Sequence, residues 1–156
     1  MYIFKPDNMW STAYRIERDL SPCGTITHNL WSSTYSIVIE NEEVIIKSRK
    51  WYSSDKIILQ NGVQVGSATF KTFKLRPTIQ LEYKDRLFEL KSQGGWGCTY
   101  DLFLSGSEKP FGSIKRSGVL TKTFESNLPD QVELWFQAVL VGLLLSLATQ
   151  QAAAAG

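Results

Sequence analysis

The stretch Leu128–Ala148 reads LPDQVELWFQAVLVGLLLSLA, and from Leu134 onward its apolar residues cover every face, broken mainly by Gln137, Gly142 and Ser146. A helix apolar all round is enclosed by protein or sits in lipid. Pro129 suits a first-turn position, and Asp130 and Glu133 place negative charge at the positive helix end, so a helix is predicted over about 129–148. Ahead of it the period is two. Ser36–Glu40 and Val44–Ser48 are β-branched runs around the polar turn Glu40-Asn41-Glu42-Glu43. Asp55–Gln60 and Val63–Phe70 flank Asn61-Gly62, a strong hairpin signal because both turn residues need positive φ. In Thr78–Tyr83, Ile79, Leu81 and Tyr83 alternate with Thr78, Gln80 and Glu82, which predicts one wet face.

Lys84-Asp85-Arg86 turns the chain into Leu87–Lys91, and Gly94-Gly95-Trp96-Gly97 breaks it before Thr99–Leu104. Ser105–Lys109 leads into Phe111–Lys115, and Ser117-Gly118 into Val119–Phe124. In residues 1–34, Pro6, Pro22 and Gly24 interrupt any period, leaving one strand candidate at Tyr14–Glu17, with Trp10 and Trp31 as core or rim anchors. The result is about ten short strands with turn signals every 8–12 residues, the pattern of a sandwich or barrel. A sandwich covers one or two sides of a helix, whereas a closed sheet covers all of them and removes its own edges. The expected fold is mainly β: one domain over residues 1–156, a closed antiparallel barrel with strands over about 14–125 enclosing the C-terminal helix. Ala138, Gly142 and Ser146, spaced by four, would let one wall approach closely, so Gly142 is expected to tolerate no bulk.

A membrane-spanning helix is the alternative. Leu134–Ala148 would be about 22 Å long at 1.5 Å per residue, against a hydrocarbon core of about 30 Å. No Lys or Arg follows residue 122 to anchor the C-terminal side. The small-residue spacing would serve helix pairing in lipid equally well, and the short span favours the buried helix.

Composition adds little until it is divided along the chain. The 156 residues are 43% hydrophobic and 21% charged, an ordinary globular balance. Residues 1–46 carry three basic and six acidic groups, residues 47–76 seven and one, and residues 77–156 seven and eight. The middle segment is therefore the basic one. Cys23 and Cys98 do not make a disulfide framework and show no metal-ligand spacing. MYIFKPDNMW has no secretory pattern, so a reducing cytoplasm is the expected location, with the closing AAAAG set aside.

Signs of catalysis are missing from the sequence. His28 is the single histidine and has no recognisable Ser/His/Asp or Cys/His context. Glu40, Glu42 and Glu43 fall in a turn without the ligand spacing of a calcium loop. Gly94, Gly95 and Gly97 match no phosphate-loop pattern. The expectation is a non-enzyme with no cofactor, no metal and no small-molecule substrate, since the helix would fill the lumen. Beyond charge, nothing marks a nucleic-acid motif.

The order of parts over residues 34–148 resembles the tubby C-terminal-like superfamily, which includes tubby domains, phospholipid scramblases and LURP-one-related proteins. The likeness rests on repeated hairpins, the strand candidate Val119–Phe124 preceded by Gly112–Arg116, and the helix opened by Leu128-Pro129-Asp130. It implies a closed barrel around a central helix. It also implies phosphoinositide binding through basic strand residues, with Lys47-Ser48-Arg49 similar to the lysine-x-arginine pair of tubby domains. No calcium-binding or flanking membrane segment of the scramblase kind is assignable.

From the residues themselves, Lys47 and Arg49 share a strand face with Lys50 beside them, and Lys56, Lys71, Lys74 and Arg76 lie on neighbouring hairpin strands. Trp51 and Tyr52 are interleaved at a position suited to a lipid or nucleic-acid surface. Basic clusters attract anionic headgroups at roughly 1 kcal/mol per residue. The expected function is binding of anionic phospholipid headgroups through these seven residues, peripheral to a membrane. The alternative is a protein-interaction or scaffold domain with no lipid role, its charges spread around a solvated barrel.

Overall fold

Alternate residues face inward on strand after strand, and this regularity builds the barrel. In the computed structural model the chain forms β1 (Tyr2–Pro6), β2 (Ala13–Arg18), β3 (Ser21–Asn29), β4 (Thr34–Ile39), β5 (Glu42–Ser48) and β6 (Lys56–Gln60). These are followed by β7 (Val63–Phe73), β8 (Arg76–Tyr83), β9 (Arg86–Ser92), β10 (Thr99–Leu104), β11 (Gly112–Ser117), β12 (Thr123–Asn127) and α1 (Leu134–Ala155). The structure describes residues 1–8, 12–50, 53–73, 76–94, 99–118 and 122–155, with the side chains of 72, 73, 76 and 151–155 excepted. Each strand pairs antiparallel with its sequence neighbours, and β1 pairs with β12 to close the ring.

Two-residue turns set the register. Asn61-Gly62 has φ of 51° and 81°, and Gln60 pairs with Val63 across it. Asp19-Leu20, Glu40-Asn41 and Lys84-Asp85 repeat this geometry, all with positive φ, a twist that matches that of the flanking strands. All four lie at the end of the barrel where α1 begins, here called the upper end. The acidic turn is thus shorter than expected, since Glu42 and Glu43 already belong to β5.

The wall presents Phe4, Ile16, Ile26, Ile37, Ile46, Ile58, Ala68, Ile79, Leu90, Leu102, Ile114 and Phe124 inward, one from each strand and all buried. Phe136–Leu147, twelve consecutive residues of α1, are buried as well, so the helix is enclosed on all sides in the lumen. At Gly142 an added Cβ would stand 2.7 Å from Ile46 Cδ1, so this glycine lets α1 approach β4 and β5. Gln137 and Thr149, two polar positions of α1, have side-chain partners. Ser126 donates to Gln137 Oε1, and Gln137 Nε2 donates to the Val132 carbonyl at 2.9 Å. Where α1 finishes, the lower end, Thr149 meets the Tyr35 hydroxyl at 2.9 Å, and His28 stacks on Tyr35 with centroids 4.3 Å apart.

Three expectations need correction. The helix starts at Leu134, not 129: Pro129 begins a turn closed by the Val132 N–H on its carbonyl, and the Glu133 carbonyl accepts the first helical bond from Gln137. It also runs on to Ala155, past 148. The first 34 residues supply two unforeseen strands, β1 and β3, without which the ring would not close. The last strand is Thr123–Asn127, while Val119 and the two residues after it lie outside the described residues.

Candidate functional site

Six connections gather at the lower end, and the sheet order decides which face each other. The turn at 30–33 joins β3 to β4, and the connection 49–55 joins β5 to β6. Two strand spacings separate them, about 10 Å at roughly 4.8 Å per strand. In the first, the Asn29 side-chain carbonyl accepts from the N–H groups of Trp31 and Ser32 at 3.0 and 3.3 Å. Ser32 and Thr34 hydroxyls meet at 2.8 Å, and Ser33 takes φ 53°. These bonds fix the turn with its apolar residues outward: Leu30 is 67% exposed and Trp31 100%. Trp31 is therefore a rim residue and no part of the core.

The expected basic residues divide. Lys47 faces outward on β5, and Arg49 and Lys50 stand exposed just beyond its end. Lys71 is half-buried on β7, paired in register with Thr78, two residues from the same end. Lys56 departs from the set. It shares the parity of Ile58, so its side chain points into the barrel, is 4% exposed, and donates to Ser48 Oγ at 2.9 Å. Burial holds its amine below the ordinary lysine value. Arg76 has only its backbone described, and Lys74 lies outside the described residues, as do Trp10, Trp51, Tyr52, Gly95, Trp96, Gly97 and Cys98.

Charge around Arg49 is not purely positive. Arg49 lines a polar groove of about 310 Å³ on the outer wall with Gln64, Ser67, Glu82 and Asp85. Elsewhere on the wall the cations are neutralised more directly: Lys5 and Arg15 both bind Glu17, at 3.0 and 2.9 Å, and Arg15 also binds Asp7 at 3.0 Å. The Lys5 hydrogen bond is the main reason the Glu17 carboxyl lies below its usual range. Among the described residues, Lys47, Arg49 and Lys71 form no ion pair.

His28 has a structural setting. Burial, with a smaller contribution from the Lys56 charge, holds its imidazole below the ordinary value, so the ring stacked on Tyr35 is neutral near pH 7. Cys23 is a free thiol on β3, pushed up by burial and 3.4 Å from the Ile16 carbonyl. Among the described residues no group of three or more His, Cys, Asp or Glu could hold a metal ion. Nor is any helix among them long and apolar enough to cross a membrane. No family model, curated protein or solved structure matches the chain.

Proposed function

We propose that the chain is a non-enzymatic, tubby-like barrel that docks on anionic bilayers through its lower end. Leu30 and Trp31 enter the headgroup zone, and Lys47, Arg49 and Lys50 face the lipid phosphates with Lys71 on their flank. The observation that carries this reading is Trp31, wholly exposed on a hydrogen-bonded turn about 10 Å from the Arg49–Lys50 connection. Indole is an interface residue in lipid, its ring amphipathic and its N–H able to reach headgroups. Moving two large apolar side chains out of water is worth roughly 1.5–3 kcal/mol each. Each basic residue near an anionic surface adds roughly 1 kcal/mol, weakened by salt. Together these support reversible peripheral binding. Twelve antiparallel strands followed by a lumen helix support the kinship with tubby-like barrels.

Co-sedimentation with phosphatidylcholine vesicles, with and without phosphatidylserine or a phosphoinositide, tests the proposal. Binding is expected only to the anionic vesicles, decreasing with salt. Trp31→Ser and the pair Lys47→Glu with Lys50→Glu should each reduce it at least tenfold, while Lys115→Glu on the far wall leaves it unchanged. Absence of binding, or equal binding by all variants, refutes the reading and favours a protein-interaction domain.

A further inference from the structure

The helix fills the lumen but not its mouth. At the upper end a cavity of about 600 Å³ opens beside the start of α1. That lies within the roughly 300–1,000 Å³ of small-ligand sites. Its floor is aromatic. Phe88 packs on Phe136 with centroids 4.7 Å apart, Tyr83 on Phe136 at 5.2 Å, and Phe111 on Phe88 at 6.1 Å. Lys84, Arg86 and Lys109 line its mouth, together with a single carboxylate among the lining residues, Glu133. Lys84 neutralises that carboxylate at 2.9 Å. Arg86 and Lys109 form no ion pair among the described residues, so the mouth keeps a positive excess.

Two further features point the same way. Tyr83 is 4% exposed, and its hydroxyl is buried without a hydrogen-bond partner, a costly state for a polar group. Burial and the neighbouring Glu133 push that hydroxyl up to about 12, so near pH 7 it holds its proton and is able to donate to an acceptor. Lys84 covers the Tyr83 ring, its Nζ 5.4 Å from the centroid, while it holds the Glu133 carboxylate at 2.9 Å. Glu133 and Phe136 bring the start of α1 to the cavity wall, and the first N–H groups of a helix have no internal partner.

We infer that this cavity binds one amphipathic anion, a carboxylate or phosphate monoester on an apolar chain or ring. Its head lies between Arg86, Lys109 and the start of α1, within reach of the Tyr83 hydroxyl, while Lys84 keeps Glu133 neutralised. Its apolar body rests on Phe88, Phe111 and Phe136. The site is at the opposite end of the barrel from the lipid-facing rim and does not depend on it.

Titration calorimetry on the whole chain tests this with decanoate, decyl phosphate, decanol and inorganic phosphate, all below micelle formation. One of the two amphipathic anions is expected to bind at one per chain, and whichever binds tighter identifies the head. Decanol and inorganic phosphate should bind at least tenfold more weakly, since each lacks half of the recognition. Arg86→Ala with Lys109→Ala, both surface changes, should weaken the anion at least tenfold. Tyr83→Phe should weaken it about fivefold, the scale of one hydrogen bond, with an unchanged circular dichroism spectrum. Trp31→Ser should leave the affinity unchanged, which separates this site from membrane docking. Failure of both anions to bind, decanol binding as tightly, or an affinity insensitive to the Arg86 and Lys109 pair overturns the inference.

Discussion

Replacing Gly142 by alanine puts a methyl group where α1 presses on the barrel wall. Its Cβ would stand 2.7 Å from Ile46 Cδ1, far inside the 3.4–4 Å of ordinary contact, while Ile37 Cδ1 at 3.7 Å is undisturbed. Ile46 is fully buried, so its δ-methyl must shift within a packed core, and overpacking of this kind costs about 1–3 kcal/mol. Removing a glycine from a helix interior returns about 0.5–1 kcal/mol, so Gly142→Ala should lose roughly 0.5–2 kcal/mol net. Ile46→Val deletes the atom in conflict and alone costs about 0.5–1.5 kcal/mol. Combined, the two changes should cost less than their sum, because the clash is gone while the helix gain remains. The expected coupling is about 1–3 kcal/mol in favour of the double variant. Urea unfolding of the four proteins, followed by far-UV circular dichroism, measures it. Additivity within about 0.5 kcal/mol would mean that residue 142 does not press on Ile46, and the packing argument fails.

Other consequences are simpler to check. Leu20 sits 83% exposed at φ 67°, where an L side chain is strained by about 1–2 kcal/mol, so Leu20→Gly should raise the unfolding free energy by about 0.5–1 kcal/mol after glycine's extra unfolded freedom is deducted. A lower denaturant midpoint would contradict this. Ser126→Ala leaves Gln137 Oε1 buried without its donor, and thermal or urea unfolding should show a loss of about 1–3 kcal/mol. The half-buried His28 imidazole protonates at a lower pH in the folded chain than in the unfolded one. As pH falls below about 6.5 the unfolded state therefore gains protons first and stability declines until the folded-state value is passed. His28→Phe, which keeps the stack on Tyr35, should flatten that part of a pH–stability series; an unchanged slope would exclude His28 as its source.

Alternation made the wall from Thr34 onward readable, because each strand has one wet and one dry face and two-residue turns lock the parity. The first strands were harder to see. β3 contains Pro22 and Gly24, which read as loop residues, yet an added Cβ on Gly24 would come within 2.8 Å of Ile39 Cγ1 and the Val38 carbonyl. That glycine permits close packing against β4 and does not end a strand. A bulge between Ile16 and Glu17 also shifts the β2–β3 register, which hides the period. Lys56 was misplaced because counting charge ignores parity. Ile58, two residues on, already indicated which face the lysine shares. Leu30 and Trp31 are apolar, and the folded turn that holds them outward, with its Asn29 and Ser32–Thr34 hydrogen bonds, has no apolar pattern to announce it. The upper cavity had no local signature, since Tyr83, Phe111 and Phe136 meet only once the barrel has closed on α1.

Hydrogen exchange of the α1 amides tests most directly whether the barrel encloses its helix. A helix held inside a closed wall cannot open until the wall does, so amides from Ala138 to Leu147 should exchange only by global opening, with the free energy that urea unfolding reports. If those amides exchange at a clearly lower free energy than the amides of β4 and β5, the helix detaches while the sheet persists, and the enclosed-helix account is wrong.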